Sequence, residues 1–344
     1  MRPTARLRCG PYNPQTLGAV PAGATGSTAT GGCPAPIEVS TRAREGVVVG
    51  GRPEWLKVRM PGGDRYTRIK GRARELGLHT VCEEAHCPNV GECWGGGTAT
   101  FMVLGDTCTR GCRFCAVETA RNPAPPDAAE PANIANAIAE MELDYVVVTS
   151  VNRDDLPDQG AGHFAACIRA SRERSPRTMV EVLIPDFRGR TDLLDALLEA
   201  RPDVLAHNVE TIPRLQVPVR DPRANWEQST RILTHAKHRG FLTKTSIQVG
   251  HGESADEVLD TMRLLRELNV DFLTVGQYLR PTTNHLDVKE YVHPDVFARY
   301  AEEGRAMGFR YVASGPLVRS SYKAGEYFIR DFLRARSAPP GAEA

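Results

Sequence analysis

From about residue 99 the chain alternates short apolar, β-branched runs with amphipathic stretches, and that alternation leaves few folds open. The strand-like runs are 100–104, 145–149, 180–184, 204–206, 242–249, 272–275 and 311–313. Helical patterns lie between them at 134–141, 162–172, 191–199, 229–238, 255–268 and 295–307. Apolar strands joined by single helices read as βαβ units around a parallel sheet buried on both faces. Six complete repeats and a seventh strand predict an α/β fold, an incomplete parallel (β/α)6 barrel with N- and C-terminal extensions. A flat doubly wound sheet is the alternative, but no Gly-x-Gly-x-x-Gly follows the first strand.

In such barrels the functional groups gather at the C-terminal ends of the strands. Here the first strand runs into Asp106 and a clump of cysteines, and the second into Ser150-Val-Asn-Arg-Asp-Asp155. The third ends in Pro185-Asp186 and the fourth in His207-Asn208-Val-Glu210. The fifth carries Lys244 and ends in Gly250-His-Gly-Glu253; the sixth ends in Gly276-Gln277-Tyr278. Strand ends meet water in any fold, yet six successive ends rich in Asn, Asp, Glu, Arg and His mark a candidate site.

Six of the nine cysteines fall in two clumps. The second clump is Gly105-Asp-Thr-Cys-Thr-Arg-Gly-Cys-Arg-Phe-Cys115, which places Cys108, Cys112 and Cys115 in a Cys-x3-Cys-x2-Cys run. Three thiolates hold three corners of an iron–sulfur cube and leave the fourth iron open, whereas a complete [4Fe–4S] site takes four. Zinc stays open as an alternative and normally closes with four Cys or His ligands. The first clump, Val81-Cys-Glu-Glu-Ala-His-Cys-Pro-Asn-Val-Gly-Glu-Cys-Trp94, supplies Cys82, Cys87 and Cys93, with His86 inside it and His79 before it. Pro88 and Gly91 predict a loop wrapped around a ligand. A disulfide framework belongs to small secreted scaffolds and fits a chain of 344 residues poorly.

The chain is 41% hydrophobic and 25% charged, enough for one large core. A net charge of +1 offers no global field for nucleic acid or membrane, and no apolar run reaches the roughly 18 residues of a membrane span. Clustered thiols suggest a cytoplasmic setting. The first 37 residues hold three Arg and no acid, so segment 1–46 is expected to be a disordered tail. An organelle transit peptide for mitochondrion or plastid is the other reading of that tail. Segment 47–98 is an extension carrying the first clump, 99–308 the barrel, 309–334 a C-terminal extension, and 335–344 a second disordered tail.

At these residues the chain resembles the lipoyl synthases, a family of the radical S-adenosylmethionine (SAM) enzymes. The Cys108 run with Phe114 before its last cysteine is similar to the superfamily hallmark. The Cys-x4-Cys-x5-Cys first clump and Gly315-Pro-Leu-Val-Arg-Ser-Ser-Tyr322 are more specific, and family-like stretches cover about 50–330. The resemblance implies a sulfurtransferase that inserts two sulfur atoms, at C6 and C8, into a protein-bound octanoyl-lysine. It implies two [4Fe–4S] clusters and SAM. Cys108, Cys112 and Cys115 would hold the cluster that binds and reductively cleaves SAM. Cys82, Cys87 and Cys93 would hold an auxiliary cluster consumed as sulfur donor, with a serine, Ser321 rather than Ser320, as fourth ligand.

Phe114, Glu181, Asn208, Glu210 and Arg220 are the candidate SAM contacts, with an ordinary Glu210–Arg220 ion pair as the competing reading. Lys244 could steady the SAM carboxylate or neutralise Glu181. Cys167 reads as a packed thiol and His207 as a structural, hydrogen-bonded histidine. Implied partners are octanoylated lipoyl-carrier domains (2-oxoacid dehydrogenase E2 subunits and the glycine cleavage H protein), an electron donor such as ferredoxin or flavodoxin, and an iron–sulfur carrier protein. Neither nucleic acid nor membrane is expected. Gln159, Gln248 and His251 depart from the family pattern and put nearby loop geometry in question, since Gly tolerates backbone angles that Gln does not.

Overall fold

The computed structural model of the chain describes residues 53–57, 64–84, 87, 89–95 and 98–321. The expected tails at 1–46 and 335–344, the end of the C-terminal extension and His86 lie outside the described residues. Helix α1 (Asp64–Glu75) leads to strand β1 (His79–Thr80) and the short helices α2 (Val81–Glu84) and α3 (Val90–Gly95). Strand β2 (Thr98–Val103) pairs antiparallel with β1. Two-residue strands β3 (Thr107–Cys108) and β4 (Glu118–Thr119) pair with each other.

The repeat then runs α4 (Glu130–Glu140), β5 (Tyr145–Ser150), α5 (Ala161–Arg174), β6 (Met179–Leu183), α6 (Thr191–Leu198) and β7 (Val204–Ala206). It continues with the short α7 (Gln216–Val219), then α8 (Trp226–His238), β8 (Leu242–Val249), α9 (Ala255–Glu267), β9 (Phe272–Gln277), α10 (Pro294–Ala306) and β10 (Tyr311–Gly315). The sheet order is β1-β2-β5-β6-β7-β8-β9-β10, parallel from β2 onward. Six βα units plus a seventh parallel strand are present, and no hydrogen-bonded pairing joins β10 to the far edge among the described residues. The fold is therefore the open α/β barrel expected from the repeat. Its last strand, β10, comes from the segment assigned to the C-terminal extension. No described helix is long and apolar enough to cross a membrane.

Alternate residues on each strand face different cores. Val146, Val148, Val180 and Val182 pack outward with Ile134, Phe164 and Leu194 of the helices. Tyr145, Val147, Val204, Leu242 and Phe272 pack with one another in a separate cluster. Helix starts are fixed locally. Ser254 and Glu257 form a reciprocal capping box on α9, worth about 1 kcal/mol. Asn225 caps α8 by accepting from the Gln228 N–H.

The first cysteine clump corrects the expectation of a loop. Cys82 lies in α2, Cys93 in α3, and Gly91 is inside α3. Tertiary packing overrides the weak helix propensity of this stretch: Trp94 is fully buried, with its ring 5.2 Å from that of Tyr66.

After β10 the chain turns back across the sheet, and Gly276 of β9 makes that possible. A Cβ at this position would meet the Val318 carbonyl oxygen at 2.0 Å. Gly276→Ala must therefore push the 316–321 segment away and is expected to destabilise the protein by about 1–3 kcal/mol. Thermal unfolding of the variant against the parent checks this; an unchanged midpoint contradicts it.

Candidate active site

A cavity of about 280 Å³ opens at the C-terminal ends of β2, β5, β6, β7 and β8. Of the residues singled out from sequence, Cys108, Cys112, Cys115, Phe114, Asn208, Glu210 and Arg220 all line it. Val81, Met102, Val117, Leu183 and Ile184 supply apolar wall.

The three cysteines of this site sit on a loop anchored at almost every residue. The Thr109 N–H donates to the Asn152 carbonyl at 2.9 Å, and the Gly111 N–H to Asp221 Oδ2 at 2.8 Å. The Arg113 N–H donates to the Val219 carbonyl at 3.0 Å, and His285 Nε2 donates to the Cys115 carbonyl at 2.9 Å. Two sulfurs accept backbone N–H groups: Cys108 Sγ from Arg110 at 3.4 Å and Cys112 Sγ from Asp221 at 3.3 Å. Burial pushes the Cys112 thiol up to about 11 and the Cys115 thiol up to about 12, with the neighbouring cysteines adding to the rise. Such thiols give up their protons to a cation rather than to neutral water.

A second wall is polar. Glu210, held at φ 67°, accepts from Gln248 Nε2 at 2.6 Å. Burial raises its carboxyl pKa against the opposing pull of Arg220, Gln248 and Asn208. Arg220 Nη1 donates to Gln216 Oε1 at 3.0 Å and to Ser229 Oγ at 2.8 Å. Among the described residues it forms no contact ion pair with Glu210, so the ordinary-pair reading is not what the structure contains. Ser229 Oγ lies 2.9 Å from His207 Nε2, and His207 Nδ1 donates to the Ile184 carbonyl at 2.8 Å. Burial lowers the His207 pKa to about 4, so it stays neutral, the structural histidine expected. Ser150 Oγ, Asn208 Oδ1 and Arg220 Nε are buried with no partner among the described residues. Unpaired buried polar atoms are costly and point to a polar ligand at this wall.

Other residues take different places. Glu181 does not line the cavity; both its carboxylate oxygens accept from Lys244 Nζ at 2.9 Å, and one also from the Tyr145 hydroxyl at 2.6 Å. Its expected contact with SAM is therefore corrected: Lys244 neutralises Glu181 in a closed, buried pair. Ser320 lines the cavity, whereas Ser321 is half-buried and does not. Cys167 is fully buried in the core, and burial pushes its thiol far up. Its sulfur lies within 4.8 Å of ligand atoms of Glu130 and His163. Glu130 is already engaged there, accepting the Leu104 N–H at 2.8 Å and facing His163 Nε2 at 2.6 Å.

The unusual residues found from sequence have concrete roles. Gln159 adopts φ 51°, the left-handed region that favours glycine, and its amide donates to the Phe187 carbonyl at 3.3 Å. His251 stacks on Tyr278 at 4.4 Å.

The first clump is reached from the other end of the chain. Cys82 and Cys93 are buried, and the Cys87 N–H donates to the Cys82 carbonyl at 3.0 Å. Asn89 Nδ2 donates to the Leu317 carbonyl at 2.6 Å. Burial raises the Cys87 thiol pKa, against the smaller lowering pulls of the Asn89 backbone N–H and the Arg319 guanidinium. His79 faces Glu84 at 3.6 Å. Among the described residues all seven cysteines are thiols, which removes the disulfide framework for them.

Sequence reasoning missed the network behind the cysteine loop. Arg110 Nε and Nη2 donate to Asp154 at 2.7 and 2.8 Å, and Arg110 Nη1 donates to Asp186 Oδ1 at 2.7 Å. The partners lie 44 and 76 residues away, a pairing that no local pattern encodes.

Comparison with known proteins gives a consistent picture. The family model of the radical SAM superfamily matches residues 102–265, and that of the N-terminal domain of lipoyl synthase matches 42–87. The chain is 58% identical over 290 residues to lipoyl synthase 1, chloroplastic, of Populus trichocarpa, covering 82% of this chain and 77% of that protein. It is 56% identical over 291 residues to lipoyl synthase, mitochondrial, of Bos taurus, covering 83% and 78%. The crystal structure of methylornithine synthase shares the fold at a TM-score of 0.50 and 12% identity, over 81% of this chain and 95% of that one. The names of the relatives place those proteins in organelles and do not support the cytoplasmic expectation.

Burial alone would raise the Asp154 carboxyl, but hydrogen bonds and charge from Arg110 and Arg188 outweigh it and bring it from an ordinary 3.8 to about 2. A depressed carboxyl contributes stability that is complete above its unfolded pKa and is lost as pH falls through its folded one. The stability gap between parent and Asp154→Asn is therefore expected to narrow by about 1–2 kcal/mol between pH 5 and pH 2. Urea unfolding of both proteins at the two pH values measures it; a gap independent of pH contradicts the assignment.

Proposed function

The chain belongs to the lipoyl synthase family of the radical SAM superfamily, and from that premise we propose that it inserts two sulfur atoms, at C6 and C8, into an octanoyl group amide-linked to a lysine of a carrier protein. Membership implies a [4Fe–4S] cluster and SAM. We propose Cys108, Cys112 and Cys115 as the cluster ligands, with the fourth iron left to SAM. The observation that supports this most is the convergence of three half-buried cysteines and three unpartnered polar atoms on one cavity. When bound, the cluster supplies the electron for cleaving SAM and so opens unactivated C–H bonds, chemistry beyond any acid or base side chain.

The protein's own groups bind and enclose. Asn208, Glu210 and Arg220, with Phe114, are the proposed SAM contacts. Gln248 fixes the Glu210 carboxylate through its 2.6 Å hydrogen bond, and the Ser229–His207 chain fixes Arg220. Val81, Met102, Leu183 and Ile184 offer an apolar face for an acyl chain and exclude water. Cys82, Cys87 and Cys93 are the proposed ligands of a second [4Fe–4S] cluster that is the sulfur substrate. Ser321, rather than Ser320, is the proposed fourth ligand, as the family resemblance implies. A hard serine oxygen holds iron less firmly than a thiolate, which suits a cluster that must be dismantled.

Octanoylated domains of 2-oxoacid dehydrogenase E2 subunits and the glycine cleavage H protein are the proposed carriers. A ferredoxin or flavodoxin would supply electrons and an iron–sulfur carrier protein would rebuild the donor cluster. The names of the relatives favour a mitochondrial or plastid setting, with 1–46 as the candidate address.

Single-residue variants separate the two clumps. With reconstituted protein, SAM and dithionite, Cys112→Ala is expected to abolish 5′-deoxyadenosine formation. Cys87→Ala is expected to keep SAM cleavage while sulfur insertion falls to background. Chromatography of the nucleoside and mass spectrometry of the carrier read both; sulfur insertion by Cys87→Ala would refute the donor assignment.

A further inference from the structure

We infer that Arg110 is a positioning residue of the SAM-binding cluster site: its guanidinium, clamped by Asp154 and Asp186, fixes the 108–115 loop and places a buried cation that raises the reduction potential of the cluster held there. The inference rests on the assignment of Cys108, Cys112 and Cys115 as cluster ligands and goes beyond it.

Arg110 stands between Cys108 and Cys112, and its side chain is 1% exposed. One edge of the fork takes both oxygens of Asp154, and Nη1 reaches both oxygens of Asp186 at 2.7 and 2.8 Å. These carboxylates follow β5 and β6, so one side chain ties the cysteine loop to two neighbouring strands. Asp154 also pairs with Arg188 at 2.9 Å and Arg223 at 3.5 Å, and Asp221 pairs with Arg223 at 2.9 Å. Three guanidiniums and three carboxylates balance. Arg188 and Arg223 are 47% and 44% exposed, so Arg110 is the member of the trio that water does not screen.

Steric support alone does not explain this choice of residues. Burying an ion pair costs several kcal/mol per ion in desolvation, and apolar packing often holds a backbone equally well. Apolar packing cannot place a positive charge in the wall of the cavity that Cys108, Cys112 and Cys115 also line. Local charge and hydrogen bonds to sulfur tune cluster potentials. The same residue supplies both, since the Arg110 N–H reaches Cys108 Sγ at 3.4 Å. Removing the guanidinium leaves the network with one excess negative charge near an anionic cluster, which makes adding an electron harder.

The test is an EPR-monitored redox titration of the reconstituted full-length protein, in which the signal that changes on adding SAM identifies the cluster. At a fixed solution potential Arg110→Met is expected to lower the ratio of reduced to oxidised cluster about tenfold. Arg110→Lys keeps the cation and is expected to recover most of the loss. Asp186→Asn removes a negative charge and is expected to shift the ratio the other way. An Arg110→Met cluster with unchanged potential overturns the inference. If Arg110→Met retains no iron, the other two variants decide: a shift in Asp186→Asn with a near-parental Arg110→Lys supports it, and two unshifted variants overturn it. A parent that shows no SAM-responsive signal overturns the ligand assignment, and this inference with it.

Discussion

Parallel strands can be joined only by crossovers, so every strand from β2 onward begins at one end of the sheet and every following loop emerges at the other. Chemistry therefore collects at one rim, whatever the order of residues along the chain. The loop after β2 brings the cysteines, the loop after β5 brings Asn152 and Asp154, and β6 leads into Asp186. The stretch after β7 brings Asn208, Glu210 and Arg220. None of these groups is near the others in sequence, and all of them meet at one cavity or directly behind it. Because the sheet stays open between its edges, the returning segment after β10 can also reach this region, and Ser320 does.

The cysteine loop is held by the protein's own contacts. Backbone anchors hold the cysteine loop, and balanced charges behind it hold the anchors. Burial raises the Cys112 and Cys115 thiols, and each neighbouring cysteine adds to the rise. The unpartnered oxygen of Asn208 and nitrogen of Arg220 extend the same logic to a polar ligand.

Much of this was legible in the residues. The strand at 204–206 coincides with its apolar run, because a strand buried on both faces needs continuous apolar or β-branched residues. The two cysteine clumps were legible as separate sites because spacing is itself the signal. The helices at Cys82 and Cys93 were not, since Trp94 and its packing, rather than local propensity, decide them. Glu181 looked like a strand-end ligand, but it lies mid-strand in β6 and meets Lys244 from β8, 63 residues away. Gln248 stood out only as a departure from a family pattern; its value comes from the buried carboxylate it reaches. Arg110 was hidden for the same reason, because a salt bridge between distant loops leaves no local trace.

The proposed division of duties between two clusters, one to open C–H bonds and one to be consumed for sulfur, fixes the origin of the inserted atoms. It is tested most directly by rebuilding the clusters with heavy-isotope sulfide, removing excess sulfide and allowing one turnover in unlabelled buffer on an octanoylated carrier. The expected product is carrier that has gained two heavy sulfur atoms, with one donor cluster lost per chain. Product carrying unlabelled sulfur, with both clusters intact, would contradict it.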